Sequence, residues 1–404
     1  MSTLLSFPLA TSSRSAGGGA PAMEMAEDLA QQLAATAVAR DQAGGHAANE
    51  RELIRASGLL TLTIPEIHGG QGESWPVFYK VLRRLAQADS ALAHVFGFHH
   101  LQLATVQLYG TPEQQSRLLG DTVAEQLFWG NAINSMDKRT LALSVAGGFE
   151  FHGIKAYCSG SVGSDRITLS GWHEDSQSFV IAAVPTRRMG IHVAGDWEAF
   201  GQRQTDSGTV SFDHLQVETS EMLLGPGAQK TARATLRTLV SQLILTNLYL
   251  GIALGAFEEA RQQIRHSTKP WFLSESPTAA DDPYTQHRLA ALWLLIRPAQ
   301  ALADAAARQL QQGLDAGDAI TTADRGELAI AVIEAKALAH RAAIEVSNQF
   351  FELTGARSTS ERLGLDRFWR NARVHTLHDP IDYKYRDLGR YLLKGTYPEP
   401  TSYT

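Results

Sequence analysis

"FEFHGIKAYCSG", residues 149–160, is the stretch that decides the fold. Phe149 and Phe151 alternate with Glu150 and His152, a period of two that suits a strand and not a helix. The same texture returns in "RITLSGW" (166–172), "SFVIAAVPTRRMGIHV" (178–193) and "GTVSFDHLQVE" (208–218). Residues 128–229 therefore read as an antiparallel β domain, by spacing a small sandwich or barrel.

On both sides the texture is helical. "AEDLAQQLAATAVARDQAG" (26–44) is dense in alanine, leucine and glutamine, and Leu29 and Leu33 stand four apart. "WPVFYKVLRRLAQADSALAHVFGFHHLQLATVQLYG" (75–110) reads as two helices, and "TPEQQSRLLGDTV" (111–123) opens with a Thr-Pro start signal. Beyond the β region, "TLVSQLILTNLYLGIALGAFEEARQQIRH" (238–266) is apolar nearly all round, which calls for burial between neighbours or subunits. Two more long helices follow, within 282–313 and 321–355. Helices, then strands, then helices, without βαβ alternation, argues against a doubly wound sheet. The expected units are a disordered tail (1–22), an N-terminal helical domain (23–127), the β domain and a C-terminal helical domain (230–404).

The chain of 404 residues is 44% hydrophobic and 19% charged with net charge −6, a globular balance that points to neither nucleic acid nor a membrane as partner. One cysteine, Cys158, excludes an intramolecular disulfide. No apolar run approaches the roughly 20 residues of a bilayer span, and the N-terminus lacks the pattern of a signal peptide. A cytoplasmic enzyme or binding protein is expected.

No glycine cluster has the spacing of a dinucleotide fingerprint or a phosphate loop, so a nicotinamide, if one is needed, belongs to another protein. "HVFGFHH" (94–100) holds three histidines, but no H-E-x-x-H occurs, and no metal is expected. Packed or surface histidines are the plainer reading for each of the three. Ser159, in "KAYCSGSVGSD" (155–165), is either a turn residue or a hydroxyl offered to a planar ligand edge. "DWEAFGQRQTDSG" (196–208), with Trp197 and Ser207, reads equally as a ligand-facing loop or a solvated turn. Arg357 in "LTGARST" (353–359) follows a helix-ending glycine and could meet an anion there. In "RNARVHTLHDP" (370–380), His375 and His378 are three apart, and Asp379-Pro380 ends or kinks the helix. That places His378 at a helix end, where proton handling suits it better than metal binding.

The strand "KAYCSG", the loop "GQRQTDSGTVSFDHLQVE" and the closing "RFWRNARVHTLHDP" (367–380) together resemble the acyl-CoA dehydrogenase fold, in its flavin-dependent monooxygenase branch typified by the dibenzothiophene-oxidising enzymes. The resemblance spans almost the whole chain and implies a C-terminal four-helix bundle and a homotetramer. Many dehydrogenases of the fold carry a catalytic glutamate where this chain has Asp379, which disfavours dehydrogenation. It further implies reduced FMN delivered by a separate NAD(P)H-dependent flavin reductase, with FAD as the alternative cofactor. O2 would then react through a flavin C4a-hydroperoxide, and an aromatic or organosulfur substrate would pass from thioether to sulfoxide and sulfone. An indole, an amine or a small sulfur compound is the alternative substrate.

Carried over residue by residue, the resemblance implies that His94 and His378 handle the peroxide proton, with Ser159 beside them. Asn131, Ser159, Ser207 and Trp197 would contact the flavin, and Lys269 and Arg357 its phosphate, Arg357 from a neighbouring subunit. Phe98, where relatives have tyrosine, and Asn134, in the divergent "AINSMDKRT" (132–140), would face the substrate.

Overall fold

The computed structural model describes residues 19–134, 136–225 and 231–404. Most of the expected tail, and the boundary expected at 229/230, lie outside the described residues. The first helix begins within that expected tail, at Ala20, with Pro21 in its first turn, where a missing N–H costs nothing.

The helices are α1 (Ala20–Ala43), α2 (Ala48–Ala56), α3 (Trp75–Ala88), α4 (Ser90–Tyr109), α5 (Pro112–Glu125), α6 (Ala232–His266), α7 (Pro283–Asp315), α8 (Thr322–Gln349), α9 (Phe351–Thr354), α10 (Asp366–Thr376) and α11 (Ile381–Lys394). Start signals act as expected. Asp89 caps α4 by accepting from Ala91 N and Leu92 N, and Thr111 and Gln114 form a reciprocal capping box on α5.

Between the helical parts lie β1 (Trp129–Ala132), β2 (Leu141–Val145), β3 (Gly148–Lys155), β4 (Arg166–His173), β5 (Ser178–Pro185), β6 (Ile191–Val193), β7 (Val210–Glu218) and β8 (Met222–Leu224). They form one sheet in the order β6-β7-β3-β2-β4-β5-β8, with β1 paired to β4. One expectation is corrected here. The sheet is mixed and not purely antiparallel, since β1 and β2 both run parallel to β4. Strand alternation shows which residues face inward but carries no record of which neighbour a strand takes.

α6 occupies the centre of the helical part, against α3, α4, α7 and α8. It is long and apolar enough to cross a membrane, as is α7, but the apolar window of α6 is 89% buried inside the protein. Its closest approach is at Gly251, where a β-carbon would meet Ala86 Cβ at 2.3 Å and the Arg83 carbonyl oxygen at 2.8 Å. A buried polar cluster crosses the same contact: Arg83 donates to Asn247 Oδ1 at 2.7 Å and to Asp304 at 2.6 Å, tying α3, α6 and α7 together.

Alanine is favoured over glycine in a helix by about 1 kcal/mol, but overpacking a rigid contact costs about 1–3 kcal/mol. Gly251→Ala is thus expected to destabilise the protein in urea unfolding, and Ala86→Gly in that background to recover part of the loss. A stabilised Gly251→Ala protein would mean that the two helices are free to separate.

Candidate active site

A cavity of about 880 Å³ opens where α4, the β domain, α6 and α10 meet. Its walls include His94, Phe98, Asn131, Asn134, Ser159, Trp197, Ser207, His375 and His378. Eight sequence candidates, from "HVFGFHH", "GNA", "AINSM", "CSG", the 196–208 loop and the closing helix, thus reach one space. Lys269 and Arg357 are exposed and are not among the lining residues.

α4 supplies one wall because it is buried on nearly every side. His94 and Phe98, one turn apart, stack at 4.0 Å between ring centroids. His99 and His100 take the plainer reading and serve the fold. His99 Nε2 lies 2.8 Å from the Leu60 carbonyl oxygen and its Nδ1 accepts from Trp129 N, while His100 bonds Thr63 and the Leu59 carbonyl.

The loop between β6 and β7 is pressed onto α10. Gly201 is required there, since a β-carbon would fall 2.2 Å from the Arg370 carbonyl oxygen. Gln202 N donates to Asn371 Oδ1 at 2.6 Å. Gln202 and Asp206 adopt positive φ angles of 52° and 47°, and Tyr157 on the facing turn has 60°. Such conformations cost energy in non-glycine residues and concentrate at functional sites. Trp197 is held by donating its Nε1–H to the Gln202 carbonyl at 2.8 Å.

A directed hydrogen-bond chain results. Thr205 donates to the Gln202 carbonyl at 3.1 Å, which can only accept, and Ser207 donates to Thr205 Oγ1 at 2.8 Å. Ser159 then donates to Ser207 at 3.0 Å, and His94 Nε2–H to Ser159 Oγ at 2.8 Å. The tautomer of His94 follows: its Nδ1 carries the lone pair. That Nδ1 is buried without a partner, as are His375 Nε2 and Gln202 Oε1. Polar atoms orphaned around a cavity of this size suit a bound group rich in donors and acceptors.

Charge is controlled by burial. Enclosure pushes His94 well below the ordinary histidine value, helped by the nearby His375 and His378. His375, whose ring lies 4.8 Å from that of His94, is pushed down to about 3 by burial, with His378 and Lys336 adding to it. Burial therefore favours the neutral form of both rings.

α10 stops at Thr376, so His378 lies past the helix end and does not share a helical face with His375. His378 Nδ1 lies 3.0 Å from Asp379 Oδ1, which orients the ring as a carboxylate does in other histidine pairs. Asp379 is itself buried and paired with Lys336 at 2.5 Å. Burial alone would raise its pKa, but the His378 hydrogen bond and the charges of Lys336 and Lys384 hold it well below the carboxylate range. Cys158 is buried, which pushes its thiol up to about 12 and leaves it inert.

Sequence reading missed Arg237 and the tail Pro400–Tyr403, both of which line the cavity. A cation near the start of a helix apolar all round was the available signal for Arg237. Also missed were His152, Asp213 and His214, exposed on β3 and β7, whose ligand-type atoms lie within 4.8 Å of one another. They are 61 and 62 residues apart in sequence (213 − 152 and 214 − 152), which hides the cluster.

Residues 22–126 match the N-terminal domain of acyl-CoA dehydrogenase, and residues 243–383 its C-terminal domain. A probable FMNH2-dependent monooxygenase of Pseudomonas putida is 45% identical over 385 residues, covering 95% of this chain and 98% of that protein. The structure of methanesulfinate monooxygenase from Pseudomonas fluorescens superposes with a TM-score of 0.93 at 44% identity, covering 95% of this chain and 99% of that one. The dibenzothiophene monooxygenase of Paenibacillus sp. A11-2, solved with FMN and indole, superposes with a TM-score of 0.92 at 39% identity, covering 95% of this chain and 100% of that one.

Four buried histidines (His94, His99, His100 and His375) have depressed values, His99 at about 4. The unfolded chain binds protons at these rings below pH ~6.5 that the folded chain refuses. Stability is therefore expected to fall as pH drops from about 6.5 toward 4, by roughly 1.4 kcal/mol per pH unit for each histidine fully engaged. Urea unfolding at pH 7 and pH 5 checks this; equal stabilities would mean that the rings are hydrated.

Proposed function

The chain belongs to the acyl-CoA dehydrogenase family, as a flavin-dependent monooxygenase, and from that premise we propose that it receives reduced FMN from a separate NAD(P)H-dependent flavin reductase and oxygenates the sulfur of an organosulfur compound. Reduced FMN, when bound, supplies two electrons and two hydrogens, so that one oxygen of O2 oxidises the sulfur by two electrons and the other leaves as water. Thioether oxidation to sulfoxide, and then sulfone, is this step taken twice.

The protein's own part is position, proton control and exclusion of water. Asn131, Ser159, Ser207 and Trp197, on β1 and two strained loops, would hold the flavin edge. With Ser159 turned to the flavin, His94 keeps a hydrogen-bonding edge toward the reacting oxygen. His378, steadied by Asp379, presents its Nε2 to the cavity as the second proton-handling group. Phe98, stacked on His94, keeps that edge dry, and Asn134 stands toward the substrate.

The observation that carries this reading is Asp379. A dehydrogenase needs a carboxylate free to remove a substrate proton. Here the carboxylate is tied to Lys336 and His378 and is absent from the cavity wall. Breaking such a buried pair costs about 3–5 kcal/mol, so Asp379 positions His378 and does not act as a base.

Lys269 and Arg357 fit the reading if copies of the chain assemble as a tetramer, each lending cations to a neighbour's flavin phosphate. α7 suits that role, because its apolar window is only 28% buried in the single chain and Leu294 is 68% exposed.

The test mixes the protein, loaded anaerobically with reduced FMN, with oxygenated buffer. Dibenzothiophene, methanesulfinate and indole serve as substrates, with flavin absorbance and product both followed. The wild type is expected to delay flavin reoxidation and to form an oxygenated sulfur product. His378→Gln and His94→Ala are each expected to lose about 10²–10⁴-fold in product rate while the flavin still reoxidises. Undiminished product from the double variant would sink the proton-handling roles. Reduction of bound FAD by an acyl-CoA would return the chain to dehydrogenation.

A further inference from the structure

Among the described residues, Arg237 is the only Arg or Lys that lines the cavity, and it has no carboxylate partner there. It stands near the N-terminal end of α6, enclosed by protein yet open to the cavity. Its Nε–H donates to Thr105 Oγ1 at 2.6 Å, and Thr105 in turn donates to the Leu101 carbonyl at 2.8 Å. The guanidinium is thereby aimed, and its two terminal nitrogens remain for a ligand. Among the described residues no Asp or Glu lies within ion-pair distance of it, and the stretches outside them contain neither residue type. The cavity's lining carboxylate, Glu198, is exposed at the rim. Ser241, one turn along the same face of α6, also lines the space. Arg237 is half-buried, a cation partly withdrawn from water gains from an anionic partner, and a guanidinium fork matches a two-oxygen anion.

Position gives the ligand its length. His94, Phe98, Leu101, Thr105 and Tyr109 follow one face of α4, four of them lining the cavity. From His94 to Thr105 is eleven residues, about 16 Å along the helix. With a contact of about 3 Å at each end, a molecule spanning from the histidines to Arg237 is on the order of 10 Å long.

Resting on the monooxygenase reading above, we propose that Arg237 is a specificity residue. It binds an oxyanion, a carboxylate or sulfonate, at the far end of a two-ring-length organosulfur substrate whose sulfur lies beside His94 and His378. Enclosure by the surrounding protein holds the guanidinium below its ordinary value, against the pull of Tyr109. The flavin phosphate is the other source of an oxyanion here, and the experiment separates the two.

The first arm needs no turnover. Biphenyl-4-carboxylate is titrated by calorimetry into the flavin-free protein, with uncharged biphenyl as control. The wild type is expected to bind the carboxylate, Arg237→Gln at least 10-fold more weakly, and Arg237→Lys in between, since it keeps the charge and loses the fork. Arg233→Gln, one turn earlier and outside the cavity lining, is expected to bind as the wild type does. The second arm compares kcat/KM for 4-(phenylsulfanyl)benzoate and for diphenyl sulfide. Arg237→Gln is expected to lose about 10–100-fold on the anionic sulfide, mostly in KM, and less than about 3-fold on the neutral one. The third arm compares affinities for FMN and riboflavin.

Equal carboxylate binding by wild type and Arg237→Gln overturns the proposal. So does a variant that loses FMN affinity while keeping that for riboflavin, because the anion is then the flavin phosphate. Failure of every sulfide to be oxygenated, with the carboxylate binding intact, would instead overturn the monooxygenase reading.

Discussion

The burial of the apolar stretch of α6 governs this structure. A long helical stretch that is apolar nearly all round has no stable solvent face, so the remaining helices must cover it. Covering it closely sets geometry elsewhere. Gly251 lets α3 approach to backbone contact. Three polar side chains in its buried stretch reach partners on other elements. Asn247 takes Arg83, Gln242 accepts from Lys336, and the Tyr249 hydroxyl donates to the His375 carbonyl at 3.0 Å. Through the last two, the core helix locates the end of α10 and the cluster that orients His378.

The site follows from the same economy of polar groups in a dry interior. The buried histidines of α4 and α10 either bond backbone carbonyls, as His99 and His100 do, or are left with one open nitrogen at the cavity, as His94 and His375 are. Position along α4 separates these roles, because the helix face toward residues 59–63 meets backbone and the face toward the β domain meets open space. Asp379 shows how a small change alters what a fold can do. One methylene shorter than glutamate, and followed by the proline that caps α11, it pairs with Lys336 away from the cavity.

Much of this was legible in the sequence, and the particular misses have physical reasons. Helix α4 and its caps, the alternating strands and the buried character of α6 are local patterns, set by side-chain periodicity. The closing motif placed His378 past a helix end, as Asp379-Pro380 requires. The parallel pairing of β1 with β4 was not legible, because alternation records faces and not neighbours. Nor was the role of His375, whose spacing from His378 suggested a shared helical face until the helix proved to end between them. Lys269 and Arg357 remain outside the cavity in a single chain.

By itself the sequence determined the succession of helices, sheet and helices and the residue types that could do flavin and proton chemistry, because periodicity, capping and composition act over a few residues. Tertiary structure alone decided which of those residues share a cavity, that enclosure favours the neutral form of His94 and His375, and that Asp379 is an anchor. It also left Arg237 without a counter-charge among the described residues. Those properties depend on burial and on partners tens or hundreds of residues away, such as Thr105 for Arg237 and Lys336 for Asp379, and no local pattern encodes them.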